Sequence, residues 1–387
     1  MKRIFLIISY TLLLLVFLTG ASFSQDTVSL PIPAPIPEIQ GAASIINDLM
    51  VSGLYKYSEE NNQKVVFTFT GDILMHTSLV NSFGKNGSYD FSPMFTDISD
   101  ELDSTDFLVT NIESTVNPKR QISGYPAFNC PVDIFATLKN HKVNALIQAH
   151  NHILDTGLDG VISTVSLTEK NGIKNIGAGT PGSIKYAIFE KHGVKAGILG
   201  YTYSTNVGNL YGDYINYIDR LKIKKDMDTL KNKEACNYLI VYLHIGTEYV
   251  RTVEPEQQDI VDYITGLGAD AVICSHPHVA KKSEILNKNN KQVFIDYSMG
   301  NLISDQVYNY TDIGSIVKLG LLRSEKGVLL DSAETIPVYR LKYSSSGRMV
   351  FKAVPVKSID KYSTVISKDK MSYIKKTAGE IQLSYNR

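Results

Sequence analysis

The sequence contains no tryptophan, only three cysteines, and no excess of charge of either sign. Its 387 residues include 39 Lys and Arg and 39 Asp and Glu. This balance argues against a general nucleic-acid binder, which would carry a basic excess. The cysteines Cys130, Cys236 and Cys274 are too few and too scattered for a disulfide scaffold or a Cys-based zinc site. At 43% hydrophobic and 20% charged residues, the chain can form a large buried core.

A long apolar run stands at the N-terminus. A positive start, Met1-Lys2-Arg3, precedes the almost unbroken apolar stretch from Ile4 to Leu18, and small residues follow. This order is typical of a secretory signal peptide, here residues 1–24. An uncleaved anchor is the alternative, because the run is long enough to span a bilayer. In both cases we expect the rest of the chain to be extracytoplasmic, secreted or membrane-anchored, since the positive start stays inside.

The remaining chain divides by composition into three segments. Four alternating prolines between residues 31 and 37 indicate a stiff tether over residues 25–63. Residues 64–340 have the pattern of a folded domain, and residues 341–387 form a basic C-terminal extension. From Arg340 to Arg387 there are eleven Lys or Arg against three Asp or Glu. We favour a solvated face for this stretch; the alternative is a contact surface for an anionic polymer or anionic lipid.

From Lys64 onward, apolar runs alternate with helical patterns. Strands are predicted at 65–70, 107–110, 145–148, 196–201, 238–242, 271–274 and 293–297. Helices are predicted near 132–141, 158–171, 219–233 and 256–267. This alternation predicts an α/β fold built on a sheet with parallel pairing and covered on both faces. After about residue 313 we expect strands without clear helices, closing the sheet or packing beside it.

Side chains able to bind metal follow the ends of six of these strands. They are Asp72 and His76; Glu113; His150, Asn151, His152 and Asp155; His244 and Glu248; His276 and His278; and Asn301. In an open α/β sheet, ligands bind beyond the carboxyl ends of the strands, so a single site is expected. Each residue alone has an ordinary explanation as a turn, cap or core residue. Together they are notable, because six of the eight histidines fall just after strand ends.

The ligand types indicate which cofactor the site takes. Imidazole nitrogens mixed with carboxylate and amide oxygens suit Mn, Fe, Zn, Ni or Co, and they suit Ca or Mg poorly. The sequence offers no thiolate cluster, which argues against a structural zinc site. One or two divalent ions are expected. Two ions sharing a carboxylate could activate water and hold the phosphate of an ester.

These segments, in this order, resemble the CapA/PgsA family of poly-γ-glutamate capsule proteins. The matching pieces are Gly71-Asp72-Ile-Leu-Met, Asn111-Ile-Glu113-Ser-Thr, Ala149-His-Asn-His-Ile-Leu-Asp155-Thr-Gly157, Ile176-Gly-Ala-Gly179, His244-Ile-Gly-Thr-Glu248-Tyr249, Ser275-His-Pro-His-Val279 and Tyr297-Ser-Met-Gly-Asn301. The likeness covers roughly residues 64–305. It implies a layered α/β sandwich of the calcineurin-like metallophosphoesterase type, a mixed sheet and a strand-rich C-terminal part. It also implies a role in poly-γ-glutamate synthesis or export.

The resemblance further implies roles for individual residues. The implied metal ligands are Asp72, Glu113 as the bridging group, Asn151, His244, His276 and His278. The implied proton donor is His152; if the protein is a hydrolase, His152 or Glu248 would transfer protons. The strand ends add His76, His150, Asp155 and Asn301 as candidate neighbours of the site. Three positions depart from the pattern: Leu74 replaces a His, Glu113 replaces an Asp, and His150 replaces the Asn usual in the capsule family.

Three functional hypotheses remain open at this point. The first is an exported CapA-like protein with a metal site that serves poly-γ-glutamate synthesis or export. The second is a metal-dependent hydrolase, either a phosphoesterase or a γ-glutamyl amide hydrolase. The third is a non-catalytic extracytoplasmic scaffold that binds an anionic polymer, or a subunit of a membrane synthase, through the basic C-terminal stretch. A fold alone does not choose among them.

Overall fold

The computed structural model describes residues 47, 48, 50, 63–288 and 291–386. The predicted signal peptide or anchor lies outside these residues, as does almost all of the predicted tether. Within the described part of the chain, no helix combines the length and the apolar character needed to cross a bilayer.

The apolar runs of the sequence form strands, and the segments between many of them form helices. The strands are, in chain order, β1 (Val65–Ile73), β2 (Gly84–Lys85), β3 (Ser88–Tyr89), β4 (Phe107–Ile112), β5 (Val143–Ile147), β6 (Lys174–Ile176), β7 (Tyr186–Lys191), β8 (Val194–Thr202), β9 (Tyr238–His244), β10 (Ala271–Ser275), β11 (Ser283–Lys288), β12 (Lys291–Asp296), β13 (Asn301–Ile303), β14 (Ile313–Ser324), β15 (Gly327–Ser345), β16 (Arg348–Pro355) and β17 (Leu383–Asn386).

The helices mostly lie between strands that run in parallel. They are α1 (Thr77–Phe83), α2 (Ser99–Asp103), α3 (Ile134–Asn140), α4 (Gly157–Lys170), α5 (Arg220–Asp228), α6 (Pro255–Gly266) and α7 (Lys368–Ile381). A π-helical turn, Thr229–Lys233, extends α5. Short 3-10 segments cover Ser92–Met94, Thr96–Ile98, Asn151–Leu154 and Val356–Tyr362.

The strands form two large sheets. The first has the order β16-β15-β14-β1-β4-β5-β6, with β13 added beside β1 and β17 beside β15. The second has the order β11-β12-β10-β9-β8-β7. In the first sheet β1, β4, β5 and β6 are parallel, and antiparallel pairing runs from β1 through β14 and β15 to β16. In the second sheet the central strands are parallel, and the edge strands β11 and β7 pair antiparallel. This mixed pairing is the α/β sandwich that the resemblance implies.

The two sheets pack face to face, with helices on the outside. Strand β9 shows how the sequence supports this, because its side chains alternate between two cores. Ile240 packs with Phe67 of the first sheet in the core between the sheets. Val241 packs with Ile223 of α5 and Ile260 of α6 in the core under the outer helices. A strand buried on both faces is apolar throughout, and all seven residues of β9 are buried.

The strand-by-strand prediction differs from the structure in two respects. The predicted strands belong to two sheets rather than one, since apolar runs specify burial but do not specify which strands pair. A helix, α7, follows residue 313, where only strands were expected. Its buried residues Ile374, Thr377, Ala378 and Ile381 recur at helical spacing, and Ser367 caps its N-terminus by accepting a hydrogen bond from the Lys370 amide.

The basic stretch after residue 340 is built into the domain. It begins inside β15, continues through β16, and ends in β17, which pairs with β15. Five of its lysines pair with acidic residues elsewhere in the domain: Lys342 with Asp305, Lys352 and Lys361 with Asp97, Lys357 with Glu101, and Lys370 with Asp312. Much of its positive charge is therefore neutralised within the molecule.

Candidate metal centre

The ends of strands from both sheets converge at one end of the sandwich. Asp72 on β1 and Glu113 after β4 come from the first sheet. His244 on β9, and His276 and His278 after β10, come from the second. All five are buried. The predicted single site is therefore assembled between two sheets.

Glycines at two strand ends allow this close approach. The Asp72 amide donates a hydrogen bond to the Gly300 carbonyl over 2.9 Å. A Cβ at Gly71 would lie 2.3 Å from that same carbonyl oxygen, so only glycine fits there. Gly300 itself has a φ of +64°, which favours glycine. These contacts give a physical reason for the Gly71-Asp72 and Gly300-Asn301 pairs in the sequence.

Acidic and imidazole side chains lie close together without forming ordinary hydrogen bonds. Nδ1 of His278 is 3.6 Å from an Asp72 carboxylate oxygen and 3.9 Å from a Glu113 oxygen. Nε2 of His244 is 3.6 Å from the other Glu113 oxygen. Two sets of potential ligand atoms each lie within 4.8 Å of one another: Glu113 with His276 and His278, and Glu113 with Asp72 and His244. Glu113 belongs to both sets.

The chemistry of these residues fits a divalent metal site. Both carboxylate oxygens of Glu113 are fully buried and have no hydrogen-bond partner, and neither does Nδ1 of His276. A buried carboxylate without partners is costly, and a metal ion would compensate for it. The donors are mixed oxygen and nitrogen, as expected for a transition metal or zinc. Which metal binds remains a prediction.

Amide side chains surround the cluster and hold it in place. Asn151 Oδ1 lies 2.9 Å from His244 Nε2, so this predicted ligand is next to the ligand sets. Asn301 Oδ1 lies 3.1 Å from His278 Nδ1. Asn111, which the sequence reasoning did not include in the site, donates to Asp72 over 2.7 Å. It precedes Glu113 by two residues, and the period of two along a strand could have indicated it.

The close packing of these groups shifts their pKa values. Burial lowers the pKa of His278, but the nearby carboxylates of Glu113 and Asp72 outweigh it and raise that pKa to about 9. Burial raises the pKa of Asp72, but His278 and His244 hold it below its usual value. For His276, burial and neighbouring imidazoles hold the pKa well below the ordinary range. These pKa shifts favour an ionised Asp72, a neutral His276 and a protonated His278.

His152 lies beside the cluster, at the wall of an open cleft. Its Nδ1 is 2.7 Å from an Asp155 carboxylate oxygen, and that oxygen also accepts a hydrogen bond from the Phe128 amide. Burial lowers the pKa of His152, but the Asp155 hydrogen bond and the charge of Glu113 raise it overall. Asp155, predicted as a neighbour of the site, therefore orients and supports the predicted proton donor.

Three other predicted residues lie around the cluster but outside both ligand sets. Glu248 stands at the cleft with a 39% exposed side chain, and its carboxylate is 4.0 Å from His278 Nε2. His76 lines the cleft, and its Nδ1 accepts from the Asp305 amide at 3.3 Å. His150 is fully buried with neither ring nitrogen partnered, and its ring centroid is 6.1 Å from that of His244.

A buried lysine ties together the loops that carry the cluster. Lys281 is 2% exposed, and its Nζ donates to Glu254 over 2.8 Å and to Gln257 over 2.9 Å. Glu254 in turn accepts from the amide of Thr247. One contact network thus joins the loop after β9 to the loop after β10. The sequence reasoning missed it, because burial of a lysine is rarely visible in sequence.

Comparison with known proteins identifies the family. A family model described as "Bacterial capsule synthesis protein PGA_cap" matches residues 66–306. The chain belongs to this family. The match spans every strand end of the cluster, and it confirms the resemblance found in the sequence.

Two curated relatives carry related names. The capsule biosynthesis protein CapA of Bacillus anthracis is 25% identical over 285 residues, which are 69% of this chain and 66% of that protein. The PGA biosynthesis protein CapA of Bacillus subtilis (strain 168) is 23% identical over 275 residues, covering 67% of this chain and 68% of the relative. This PGA_cap protein thus spans about two thirds of each relative's length.

Solved structures show only distant similarity. The Thermus thermophilus sulfate thiohydrolase SoxB has a TM-score of 0.41 at 9% identity and covers 81% of this chain and 59% of its own. A purple acid phosphatase from yellow lupin has a TM-score of 0.36 at 10% identity, with coverage of 78% and 55%.

Proposed function

We propose that this PGA_cap protein is an exported, metal-dependent phosphoesterase that serves capsule synthesis. The observation that carries the proposal is Glu113, a buried and unpartnered carboxylate shared by two potential ligand sets. A shared carboxylate between two sets of ligands suits two adjacent ions. Such a pair activates water and holds both reacting oxygens of a phosphate ester.

The ligand residues divide naturally around Glu113. Asp72 and His244 would hold an ion on one side, with Asn151 beside His244. His276 and His278 would hold an ion on the other side. Asn111 and Asn301 keep Asp72 and His278 oriented through their amide groups. Groups that support ligands in this way tune both the affinity and the geometry of a metal site.

We infer that His152 delivers a proton to the leaving group. Asp155 engages Nδ1, which leaves Nε2 as the nitrogen available to the cleft. The raised pKa of His152 favours the protonated ring more than in a free imidazole, which suits a general acid. Glu248 is partly exposed at the same cleft and can exchange protons with solvent.

Export and the capsule pathway rest on other support. The apolar run from Ile4 to Leu18 has the order of a secretory signal or anchor. The names of both curated relatives refer to capsule or PGA biosynthesis. The scaffold alternative has less support, because it relies on a basic stretch whose lysines are largely paired within the domain.

The proposal is tested by leaving-group chemistry. The metal-loaded chain would be assayed on phosphate esters that carry either a good leaving group, nitrophenol, or a poor one, a simple alcohol. His152→Gln should lower kcat by about 10²- to 10⁴-fold for the alcohol esters and far less for nitrophenyl esters, with little change in KM. His192→Gln, in the turn between β7 and β8, is the control. Absence of turnover on every ester by metal-loaded protein would reject the proposal.

A further inference from the structure

A cleft of about 550 Å³ opens next to the metal-ligand cluster. Its inner wall includes Asn151, His152 and His278, so a bound molecule would reach the cluster directly. Its outer wall comes from three loops, around Tyr125, Tyr249 and Tyr308. A cleft of this volume is typical of sites that bind a small molecule or a few units of a chain.

The described outer wall of the cleft carries no positive side chain, and the imidazoles of His152 and His278 stand on the inner wall at the cluster. Among the described residues that line the cleft there is neither lysine nor arginine. The two carboxylates in the lining are Asp305 and Glu248, and Asp305 is already paired with Lys342 over 2.6 Å. Glu248 is partly exposed and has His278 as its nearest cationic partner, at 4.0 Å. The described outer wall therefore offers no lysine or arginine to pair with the carboxylates of a polyanionic chain.

Tyrosines form the rim instead. Tyr125 is 77% exposed and Tyr308 is 58% exposed, although aromatic rings are usually buried. The rings of Tyr249 and Tyr308 lie side by side, with centroids 4.4 Å apart and planes tilted by 39°. Exposed aromatic rings around a polar cleft mark a binding site, because they offer a flat apolar face together with a hydroxyl group.

Uncharged hydrogen-bonding side chains complete the lining of the cleft. Asn206 and Gln306 contribute uncharged amides that are held by neighbours in the lining: Asn206 contacts Asn151 and His152, and Gln306 donates to the Tyr249 hydroxyl over 3.4 Å. Glu248 can accept from hydroxyl groups. Flat rings for apolar C–H faces, amide and hydroxyl groups for sugar hydroxyls, and a described lining without lysine or arginine together match the chemistry of a sugar.

We propose that the cleft binds an uncharged sugar unit, stacked on the Tyr249–Tyr308 pair, so that the substrate is a phosphate ester carried by a glycan. This inference rests on the proposed phosphoesterase function for the position of the reacting bond. It goes beyond that function by assigning the part of the substrate that the protein recognises. A poly-γ-glutamate chain is thereby placed outside the cleft.

Calorimetric titration of the full chain tests this assignment. The neutral probes are chitohexaose and maltohexaose, and the anionic probe is poly-γ-glutamate. At least one neutral oligomer should bind, and Tyr308→Ala should weaken that binding about tenfold through loss of stacking. Tyr125→Ala should also weaken binding of the neutral oligomer. Tyr211→Ala removes an exposed tyrosine outside the cleft lining and should leave it unchanged.

Salt and metal content separate the outcomes. Binding of a neutral sugar should not change between low and high salt, whereas binding of a polyanion would weaken. The inference is overturned if neither sugar binds, if Tyr308→Ala has no effect, or if only poly-γ-glutamate binds in a Tyr308-dependent way. Metal content is measured on the same samples. If the samples contain no metal, the phosphoesterase proposal is rejected. If metal-loaded protein binds no sugar, only the sugar-binding inference is rejected.

Discussion

Two buried glutamates, Glu101 and Glu113, differ in their hydrogen-bond and ion-pair partners and therefore in their roles. Glu101 on α2 is paired with Lys318 over 2.9 Å and with Lys357. Glu113 is more deeply buried and has no hydrogen-bond partner. The first carboxylate therefore stabilises the fold through ion pairs, whereas the second is available for a ligand. This contrast provides a matched pair of substitutions.

Glu113→Gln should abolish stabilisation by metal. In the wild type, an ion at a hundred times its Kd adds about 2.7 kcal/mol to the free energy of unfolding. Without the shared carboxylate we expect that gain to disappear. Glu101→Gln should instead lower stability by about 1–3 kcal/mol, through loss of partly buried charge pairs, and keep the metal-dependent gain. Urea unfolding with and without Mn²⁺ or Zn²⁺ measures the stability of each variant and its increase on metal binding. If metal still stabilises Glu113→Gln, this assignment is contradicted.

Asp296 should make stability depend on pH. It is fully buried, one of its oxygens has no partner, and burial raises its pKa to about 7. Between pH 4 and 7 the folded state keeps a proton that the unfolded state has lost, so stability falls as pH rises, by about 1.4 kcal/mol per pH unit at most. Asp296→Asn should remove this contribution. Its stability relative to wild type should therefore increase from pH 4 to 7, as measured by urea unfolding; a constant difference would contradict the prediction.

The positions of the predicted ligands were accessible from sequence, because they follow apolar runs that do form strands. Asp72, His244, His276 and His278 come at or just after such strands, and the family motifs carry them. Asn111 was missed as a member of the site although it lies at such a position. The tyrosine rim could not be found, because the exposure of Tyr125 and Tyr308 depends on how distant loops come together.

At the scale of elements, the geometry of the site depends on the loop after β10, which has an unusual backbone conformation. His276 has a φ of +101° and His278 a φ of +60°, and both values are unfavourable for residues other than glycine. Such conformations persist only where surrounding contacts fix them. The Lys281–Glu254 pair supplies these contacts, because it joins the loop after β10 to α6 and to the Thr247 amide. We infer that Lys281 is a positioning residue.

Lys281→Met should destabilise the fold and disturb the site. Removing one partner of a buried pair costs about 3–5 kcal/mol, because the other charge stays buried. The double variant Lys281→Met, Glu254→Gln should lose less than the sum of the single variants. The control is Lys282→Met, at the next residue, which breaks an exposed ion pair with Glu284. It should lower the free energy of unfolding by less than about 1 kcal/mol. The site readout is the visible spectrum of bound Co²⁺, which should change in Lys281→Met and not in Lys282→Met. Identical spectra would reject a positioning role.

Helices and strands were predictable where the sequence is strongly periodic. The four helices predicted near 132–141, 158–171, 219–233 and 256–267 correspond to α3, α4, α5 with its extension, and α6. Helix α7 was missed, because its apolar positions are separated by many lysines and the segment reads as a solvated basic tail. Its buried face becomes apparent only when it packs on residues such as Leu341 and Val354.

At the scale of the whole molecule, the charge of the C-terminal stretch and that of the rest of the chain complement each other. The net charge of the protein is zero, while the stretch from Arg340 carries an excess of eight positive charges. The ion pairs with Asp97, Glu101, Asp305 and Asp312 place this excess against acidic groups of the domain. Which strands share a sheet, and where the acidic partners of these lysines lie, depend on tertiary contacts. Local sequence patterns do not encode those contacts.

Removal of residues 341–387 should prevent cooperative folding. The cut would fall inside β15 and would remove β16, whose Phe351 and Ala353 are fully buried beside Ile316 of β14. A solvated tail could be removed without such an effect. Thermal melts by circular dichroism would compare residues 64–340 with residues 64–387. A cooperative melt of the shorter fragment at the same temperature would show that the stretch is dispensable.

The central claim is that the cluster around Glu113 binds divalent metal. The most direct test is elemental analysis of the purified full chain beside the double variant His276→Ala, His278→Ala, with folding of both checked by thermal melt. We predict stoichiometric Mn, Fe, Zn, Ni or Co in the wild type and its loss in the folded variant. A folded wild-type protein that retains no metal after incubation with excess ions would contradict the account.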